Sequence, residues 1–425
     1  MTTKSVTLPN GLRVILIDTD SFPTLTTLLL IGAGSRYENA NNNGIAHFLE
    51  HMAFKGSKKY PSSFIISSTI ESMGGVFNAF TAKDHTGYWI KSTVGNFPRV
   101  VDVLADMVVA PLLDPLEINR EKGVITEEIN MYEDMPARKV GDYYEELLYQ
   151  GTTLGFDVAG TKQTISQFKK QTFVDYMSQL YHSSNAVLVV AGGLGHWSDH
   201  YLKLIEQKFA HWPSGPKNRI SEVAESQTKP QIAVHYKKTE QSHFCFGFRA
   251  FSFRDPRRYA LSILTTILGG GMSSRLFMEV RERRGLCYYI STGRELYADV
   301  GHLVTQAGVR NNLPKIKEAI KVIWDEHQKI ADGQFKQDEM AKAKEMIKGR
   351  MLLSLEDSSA VASFYGTRQL MEGDSITPDE VIAKIASVTK EEIVGVAREL
   401  FCREKLNIAL IGPYKKEDLK LIFNF

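Results

Sequence analysis

The sequence is poor in cysteine and has no long apolar run. It contains three cysteines, Cys245, Cys287 and Cys402, and their wide spacing excludes a disulfide scaffold and a thiolate zinc cluster. We therefore expect a chain that works in a reducing cytoplasm. The longest apolar stretches, such as residues 28–31 and 186–191, are far too short to span a bilayer. The first residues also lack the apolar core of a secretory signal.

Net charge is almost absent as well. The chain has 51 Lys and Arg residues against 49 Asp and Glu residues, a formal net charge of +2, so the charge pattern indicates no nucleic-acid or anionic-membrane partner. Its 43% hydrophobic and 24% charged residues are ordinary for a soluble globular protein. A chain of 425 residues is too long for one typical core and predicts two or more domains.

The order of predicted elements occurs twice along the chain. A polar stretch rich in Pro, Gly and Ser at 213–230 separates the halves, and we interpret it as a linker. Residues 70–78 align with 280–288, the end of a helix followed by the start of a strand in both halves. The repeat predicts an α+β fold of two homologous domains, residues 1–212 and 231–425, each a mostly antiparallel sheet packed with helices.

The most informative motif is His47-x-x-Glu50-His51. It has the H-x-x-E-H pattern of an inverted zinc-hydrolase site, and its proline-free flanks with helical apolar spacing predict a helix. His47 and His51 would then lie one turn apart, close enough to bind one ion, with Glu50 on nearly the same face. The alternative is a buried helix with two hydrogen-bonded histidines. The corresponding helix of the second half, residues 256–268, contains neither histidine nor acid, so only the first half can hold the metal.

A catalytic zinc site normally needs a third protein ligand besides water. Five residues of the helix predicted at 116–133 fall on one stripe at helical spacing: Ile118, Glu121, Ile125, Glu128 and Tyr132. A carboxylate in an apolar stripe needs a partner, because burying it unpaired is costly. A zinc ion, or histidines bound to one, would be such a partner. An amphipathic helix with a solvated acidic edge is the alternative.

The motif, followed after 76 intervening residues by Glu128, resembles the pitrilysin family of zinc peptidases. The chain length resembles the short two-domain members, such as the beta subunit of the mitochondrial processing peptidase and its bacterial relatives. The resemblance implies one Zn²⁺ per chain, with Glu128 as the third ligand. It also implies that Glu121 supports the site without necessarily touching the metal. Glu127 stays a competitor for the ligand position, since adjacent helix positions point about 100° apart.

Residues 269–277, followed by Arg281 and Tyr288, resemble the family's substrate-side element. The resemblance implies that this arginine and tyrosine bind the peptide backbone and stabilise the tetrahedral intermediate. Without the resemblance, residues 281–284 would more often be a solvated helix end whose cationic side chains interact favourably with the helix dipole. A phosphate-binding glycine loop is the rival for 269–271, but the P-loop lysine is missing.

Asn78 and Ala79 begin a stretch that in the family is an edge strand pairing with the substrate's main chain. An ordinary strand after the Gly74-Gly75 turn fits the sequence equally well. Asp84 and His85 lie close by, and we interpret them as loop residues.

The resemblance covers the whole chain and implies a zinc metalloendopeptidase that hydrolyses peptides or unfolded segments in a closed chamber. Glu50 would act as general base on the water that zinc activates, and Arg281 and Tyr288 would face the developing oxyanion. In short members each chain forms half of a clamshell and two chains face one another, so a homodimer with composite sites is expected. The alternative is a non-catalytic subunit, or a peptidase that depends on a related partner chain.

Overall fold

A computed structural model of the chain describes residues 1–20, 23–195, 199–216, 220–224, 226–373 and 376–419. Residues 217–219 and 225 of the predicted linker lie outside the described residues. The described strands, in chain order, are β1 (Thr2–Thr7), β2 (Arg13–Asp18), β3 (Thr24–Ile31), β4 (Val76–Thr81), β5 (Thr86–Thr93), β6 (Ala186–Gly192), β7 (Gln231–Tyr236), β8 (Gln241–Ala250), β9 (Cys287–Leu296), β10 (Gly301–Arg310) and β11 (Asn407–Gly412).

The described α-helices, in chain order, are α1 (Ile45–Ala53), α2 (Ser63–Glu71), α3 (Phe97–Val109), α4 (Pro115–Glu133), α5 (Pro136–Leu148), α6 (Lys162–Gln167), α7 (Lys170–Leu180), α8 (Asp199–Phe209), α9 (Arg258–Gly269), α10 (Leu313–Ala331), α11 (Gln337–Ser354), α12 (Ser358–Met371), α13 (Pro378–Ser387), α14 (Lys390–Leu400) and α15 (Lys416–Leu419). A π-helical segment, Phe277–Glu282, follows α9.

Six strands form the first sheet, in the order β1-β2-β6-β3-β5-β4. Its neighbouring strands are antiparallel except β2 and β6, which run parallel. Both faces of the central strands are buried: Leu25 and Leu29 of β3 belong to one core, and Leu28 and Leu30 belong to another. Because successive side chains point to opposite faces, a strand buried on both faces is a continuous apolar run in the sequence.

The second sheet has the order β7-β11-β8-β10-β9 and reproduces the pairing β2-β6-β3-β5-β4 of the first. Its parallel pair, β7 and β11, corresponds to β2 and β6, and its other neighbours are antiparallel. The predicted fold class is confirmed: the chain has two homologous α+β units, each built on a mostly antiparallel sheet.

The two compact units exchange helices between the halves of the sequence. The first unit comprises Met1–Asn130, Phe156–Ser221 and Leu352–Ile376, and the second comprises Met131–Gly155, Glu222–Met351 and Thr377–Phe425. Thus α12 packs against β3 and β6, whereas α5 packs against β8 and β11. The boundaries predicted at 212 and 231 do not follow these units, because a linker's composition carries no information about which sheet a distant helix covers.

The internal repeat contains a one-residue insertion in the second half. In the first unit the Gly75 N–H donates to the carbonyl of Ile70, whereas in the second the Leu286 N–H donates to the carbonyl of Val280. The second span is one residue longer because Phe277–Glu282 is π-helical and a π-turn accommodates one extra residue. The predicted alignment of 70–78 with 280–288 is therefore one residue out of register on the strand side.

Candidate metal centre

Helix α1 carries the His47-x-x-Glu50-His51 motif and begins directly after Gly44. The φ of Gly44 is +95°, and a Cβ at this position would lie 2.8 Å from backbone atoms of both Ala159 and Gly160. Glycine is therefore required where the chain enters the helix. The apolar positions of the helix are buried in the first core: Ile45, Ala46, Phe48, Leu49, Met52 and Ala53.

The motif histidines and Glu128 converge on one point. His47 Nε2 and His51 Nε2 are 3.3 Å apart, and Glu128 Oε2 lies 3.6 Å from the former and 3.5 Å from the latter. A tetrahedral zinc with bonds of about 2.0–2.1 Å separates its ligand atoms by about 3.3–3.4 Å. Two imidazoles and one carboxylate are a donor set that zinc takes in catalytic sites, so the residues present fit the ion. Among the described residues, these three form the cluster suited to holding a metal.

Helix α4 presents Glu128 and Glu127 differently. Glu128 lies beside the histidines, whereas Glu127 is exposed and accepts a hydrogen bond from Asn130 Nδ2 at 3.4 Å. The geometry favours Glu128 over Glu127 as a ligand. Its role in binding metal stays a prediction.

Glu121 contacts one histidine of the cluster, His51. His51 Nδ1 is 2.8 Å from Glu121 Oε1, and Lys55 Nζ is 2.6 Å from Glu121 Oε2. A carboxylate that accepts from Nδ1–H fixes the tautomer in which Nε2 carries the lone pair. Burial acts to raise the pKa of Glu121, but hydrogen bonds from His51 and Lys55 outweigh it and the pKa is lowered. Glu121 is therefore ionised when it orients His51.

The same contacts shift the pKa of His51. Burial would lower the pKa of His51, but hydrogen bonds to Glu121 and Glu128 outweigh it and raise the pKa to about 9. Carboxylates on both sides of the ring thus favour a cation at this point, whether a proton or a metal.

Glu50 has surroundings that suit a proton acceptor. Burial raises the pKa of its carboxyl, the charge of Glu128 adds to this rise, and the hydrogen bond from Thr81 opposes it. The Thr81 hydroxyl donates to Glu50 Oε2 at 2.6 Å. A carboxylate with a raised pKa takes up a proton more readily near neutral pH.

Two contacts of the centre were not predicted from the sequence. Thr81 is 31 residues from Glu50, and no local pattern connects them. Lys55 lies four residues after His51, and this helical spacing was a signal that it points the same way. Both contact residues of the centre directly.

The predicted substrate strand, β4, is one of the two edge strands of the first sheet. Within the described residues, no strand pairs with the outer edge of β4. Asn78 on this strand is exposed, and its Oδ1 accepts a hydrogen bond from the Ala79 N–H at 2.9 Å. Asp84 lies in the loop after β4, as predicted, but it is buried and accepts a hydrogen bond from Arg36 Nη1 at 2.7 Å. This contact accounts for Asp84 without a metal.

Arg281 and Tyr288 lie together in the second unit. The guanidinium carbon of Arg281 is 4.6 Å from the ring centroid of Phe277 and 5.8 Å from that of Tyr288. Arg281 belongs to the π-helical segment and Tyr288 to β9. Tyr288 is 73% exposed, so its hydroxyl is accessible to a ligand.

The comparisons with known proteins decide the family. The model of the Insulinase family, Peptidase family M16, matches residues 13–162, and that of the Peptidase M16 inactive domain matches residues 167–347. The chain belongs to peptidase family M16. The first match contains the three clustered residues, and the second contains Arg281 and Tyr288. The resemblance drawn from the motif is confirmed.

Named relatives extend over nearly the whole chain. The uncharacterized zinc protease YmxG of Bacillus subtilis is 36% identical over 96% of this chain and 98% of its own length. The beta subunit of the mitochondrial-processing peptidase of Bos taurus is 31% identical over 97% of this chain and 85% of its own length. This M16 chain thus belongs to a family whose relatives include zinc proteases.

Solved structures show the same fold. A protease from Helicobacter pylori aligns with a TM-score of 0.89 at 24% identity, covering 97% of this M16 chain and 100% of the protease chain. A peptidase M16 inactive domain from Pseudomonas fluorescens aligns with a TM-score of 0.89 at 20% identity, covering 98% and 99% of the two chains. Within the described part of the M16 chain, no helix is both long and apolar enough to cross a membrane.

Proposed function

We propose that this chain is a zinc-dependent endopeptidase that hydrolyses peptides or unfolded segments. The observation that supports it most is the triangle of His47 Nε2, His51 Nε2 and Glu128 Oε2, with edges of 3.3–3.6 Å. The carboxylate of Glu50 stands on the same helix as both histidines. The chain would bind one Zn²⁺, and bound zinc supplies an acidified water and polarises a peptide carbonyl.

The chain's own residues would transfer the proton and orient the metal ligands. Glu50 would take a proton from the attacking water and pass it to the leaving amine. Thr81 donates a hydrogen bond to Oε2 of Glu50 and holds this carboxylate in place. Glu121 would hold His51 with Nε2 as the ligand atom.

Recognition of the substrate would use residues from both halves of the sequence. The outer edge of β4, at Asn78 and Ala79, would pair with the extended main chain of a peptide through backbone hydrogen bonds. Arg281 and Tyr288 would hold the peptide backbone and stabilise the developing oxyanion. Because backbone groups are common to all peptides, this recognition would accept many sequences.

The Glu50→Gln variant tests the proposed mechanism. It should bind zinc as the wild type does, because Glu50 is not in the ligand triangle, and it should lose most turnover of a quenched peptide. Glu71→Gln is the matched control, since Glu71 is an exposed carboxylate at the end of α2. Near wild-type hydrolysis by Glu50→Gln would overturn the role of Glu50.

We further propose that the active form is a homodimer in which two chains complete each site around a chamber. A mixture of Glu50→Gln chains with Arg281→Ala chains should recover activity that neither has alone. Complete absence of recovery would indicate that each chain completes its own site.

A partner-dependent peptidase is the second candidate, because the mitochondrial relative is named as a subunit. Two measurements on the purified chain separate the homodimer from the partner-dependent peptidase. Size exclusion gives its mass, and a peptidase assay shows whether it is active in the absence of other proteins. An active chain without any second protein excludes dependence on a partner.

The cytoplasmic location stays a prediction.

A further inference from the structure

The buried carboxylate of Glu38 binds the beginning of helix α1. Glu38 is 4% exposed. Its Oε2 accepts hydrogen bonds from the backbone N–H of Gly44 at 2.8 Å and from Asn43 Nδ2 at 2.9 Å, and its Oε1 accepts one from the backbone N–H of Ala46 at 2.9 Å. Both carboxylate oxygens are therefore committed to the entry of the zinc helix.

Helix α1 needs such a carboxylate because it cannot supply its own cap. The residue before the helix is Gly44, which has no side chain, and the space for a Cβ is filled by backbone of Ala159 and Gly160. A helix leaves its first N–H groups without intrahelical partners, and a side-chain oxygen normally accepts from one of them. Glu38, six residues before Gly44, provides that acceptor from outside the helix.

The position of this cap matters because of what the helix carries. Helix α1 has nine residues, a length that is marginal without outside contacts. Ala46, whose N–H is held by Glu38, directly precedes His47. A shift of α1 by more than about 0.5 Å would take both histidines out of the arrangement they share with Glu128, which stands on a separate helix. Metal sites require their ligands within about 0.5 Å of the productive geometry.

We propose that Glu38 is a positioning residue of the metal centre, acting through the first turn of α1 on the placement of His47 and His51. The inference rests on the zinc-binding part of the proposed function. Glu38 touches neither the metal ligands' donor atoms nor the reacting groups, so its effect is on coordination geometry.

The test measures metal binding by three variants of the full chain. Glu38→Ala removes the acceptor, and Glu38→Gln keeps one oxygen but turns an N–H₂ towards a backbone donor. Asp357→Ala is the matched control, because Asp357 caps α12 in the same unit by accepting from Ser359 N at 2.7 Å, and α12 carries no residue of the centre. The readouts are the zinc dissociation constant by chelator competition and the visible absorption spectrum of the Co²⁺-substituted chain.

Loss of a group hydrogen-bonded directly to a metal ligand typically weakens binding 10- to 100-fold, and Glu38 acts one contact further out, through the backbone before His47. We therefore expect Glu38→Ala to weaken zinc binding by about tenfold, with a changed position and intensity of the Co²⁺ bands. Glu38→Gln should shift both readouts in the same direction by a smaller amount, and it decides the matter if Glu38→Ala does not fold. Asp357→Ala should bind zinc like the wild type.

Three results would overturn the inference in different ways. Wild-type zinc affinity and an unchanged Co²⁺ spectrum in the Glu38 variants would reduce Glu38 to a contributor to stability. Equal weakening by Asp357→Ala would show a general effect of destabilising the unit. Absence of zinc binding by the wild type would overturn the proposed function as well, whereas a zinc-binding chain without peptidase activity would leave the role of Glu38 intact.

Discussion

The Glu121→Gln substitution tests how the centre is built beyond its ligands. Glu121 bridges His51 Nδ1 at 2.8 Å and Lys55 Nζ at 2.6 Å, and its side chain is 4% exposed. Glutamine keeps one acceptor oxygen, so the other contact meets an N–H₂ group and one charged hydrogen bond is lost. A hydrogen bond to a charged group contributes about 1.5–3 kcal/mol, which agrees with the 10- to 100-fold loss typical of outer partners of metal ligands.

We therefore expect Glu121→Gln to weaken zinc binding by about 10- to 100-fold, or about 1.4–2.7 kcal/mol. The assay is chelator competition on the purified chain at neutral pH. Glu117→Gln is the matched control, because Glu117 lies one turn earlier on α4 and pairs with Arg120 away from the centre. Zinc affinity of Glu121→Gln within about twofold of the wild type would refute the reasoning, since a bond of the typical strength is worth more than that.

Three further predictions concern the third ligand, the helix entry and a partly buried carboxylate. Glu128→Gln should lose zinc while Glu127→Gln retains it, measured by metal analysis after dialysis; the reverse result would transfer the ligand role to Glu127. Gly44→Ala should lower the free energy of unfolding by about 2 kcal/mol or more through its left-handed backbone and its crowded Cβ, whereas Gly141→Ala, in open space on α5, should raise it by about 0.5–1 kcal/mol in urea unfolding. Burial acts to raise the pKa of Asp102, but hydrogen bonds from two lysines and a tyrosine lower it from 3.8 to about 2. The ionised carboxylate of Asp102 therefore contributes its full stabilisation above about pH 4 and loses it as the pH falls through about 2. Asp102→Asn should lower the free energy of unfolding by about 1 kcal/mol at pH 7, after allowance for solvent screening. The loss should become progressively smaller in acid. An equal cost at pH 7 and pH 2.5 would contradict this.

The sequence predicted those features of the centre that depend on local geometry. His47 and His51 are four residues apart, so helical spacing places them on one face, and in the structure their Nε2 atoms are 3.3 Å apart. Glu128 needed the family resemblance, because the stripe on α4 offers several carboxylates and spacing along one helix cannot say which of them meets another helix.

The features that were missed depend on contacts distant in sequence. The bonds of Thr81 to Glu50 and of Glu38 to α1 require the fold before they can be seen. The exchange of α5 and α12 between the units is likewise a tertiary contact, which the sequence of neither helix indicates. The extra residue of the π-helical segment shifted the predicted repeat because a π-turn accommodates one inserted residue without ending the helix.

Activity as a function of bound zinc tests the central claim most directly. The chain is stripped with a chelator, zinc is returned in steps, and hydrolysis of a quenched peptide is measured beside metal content at each step. The account predicts no hydrolysis without metal and a linear recovery that ends at one zinc per chain. Hydrolysis by the stripped chain, or full zinc binding without hydrolysis, would contradict it.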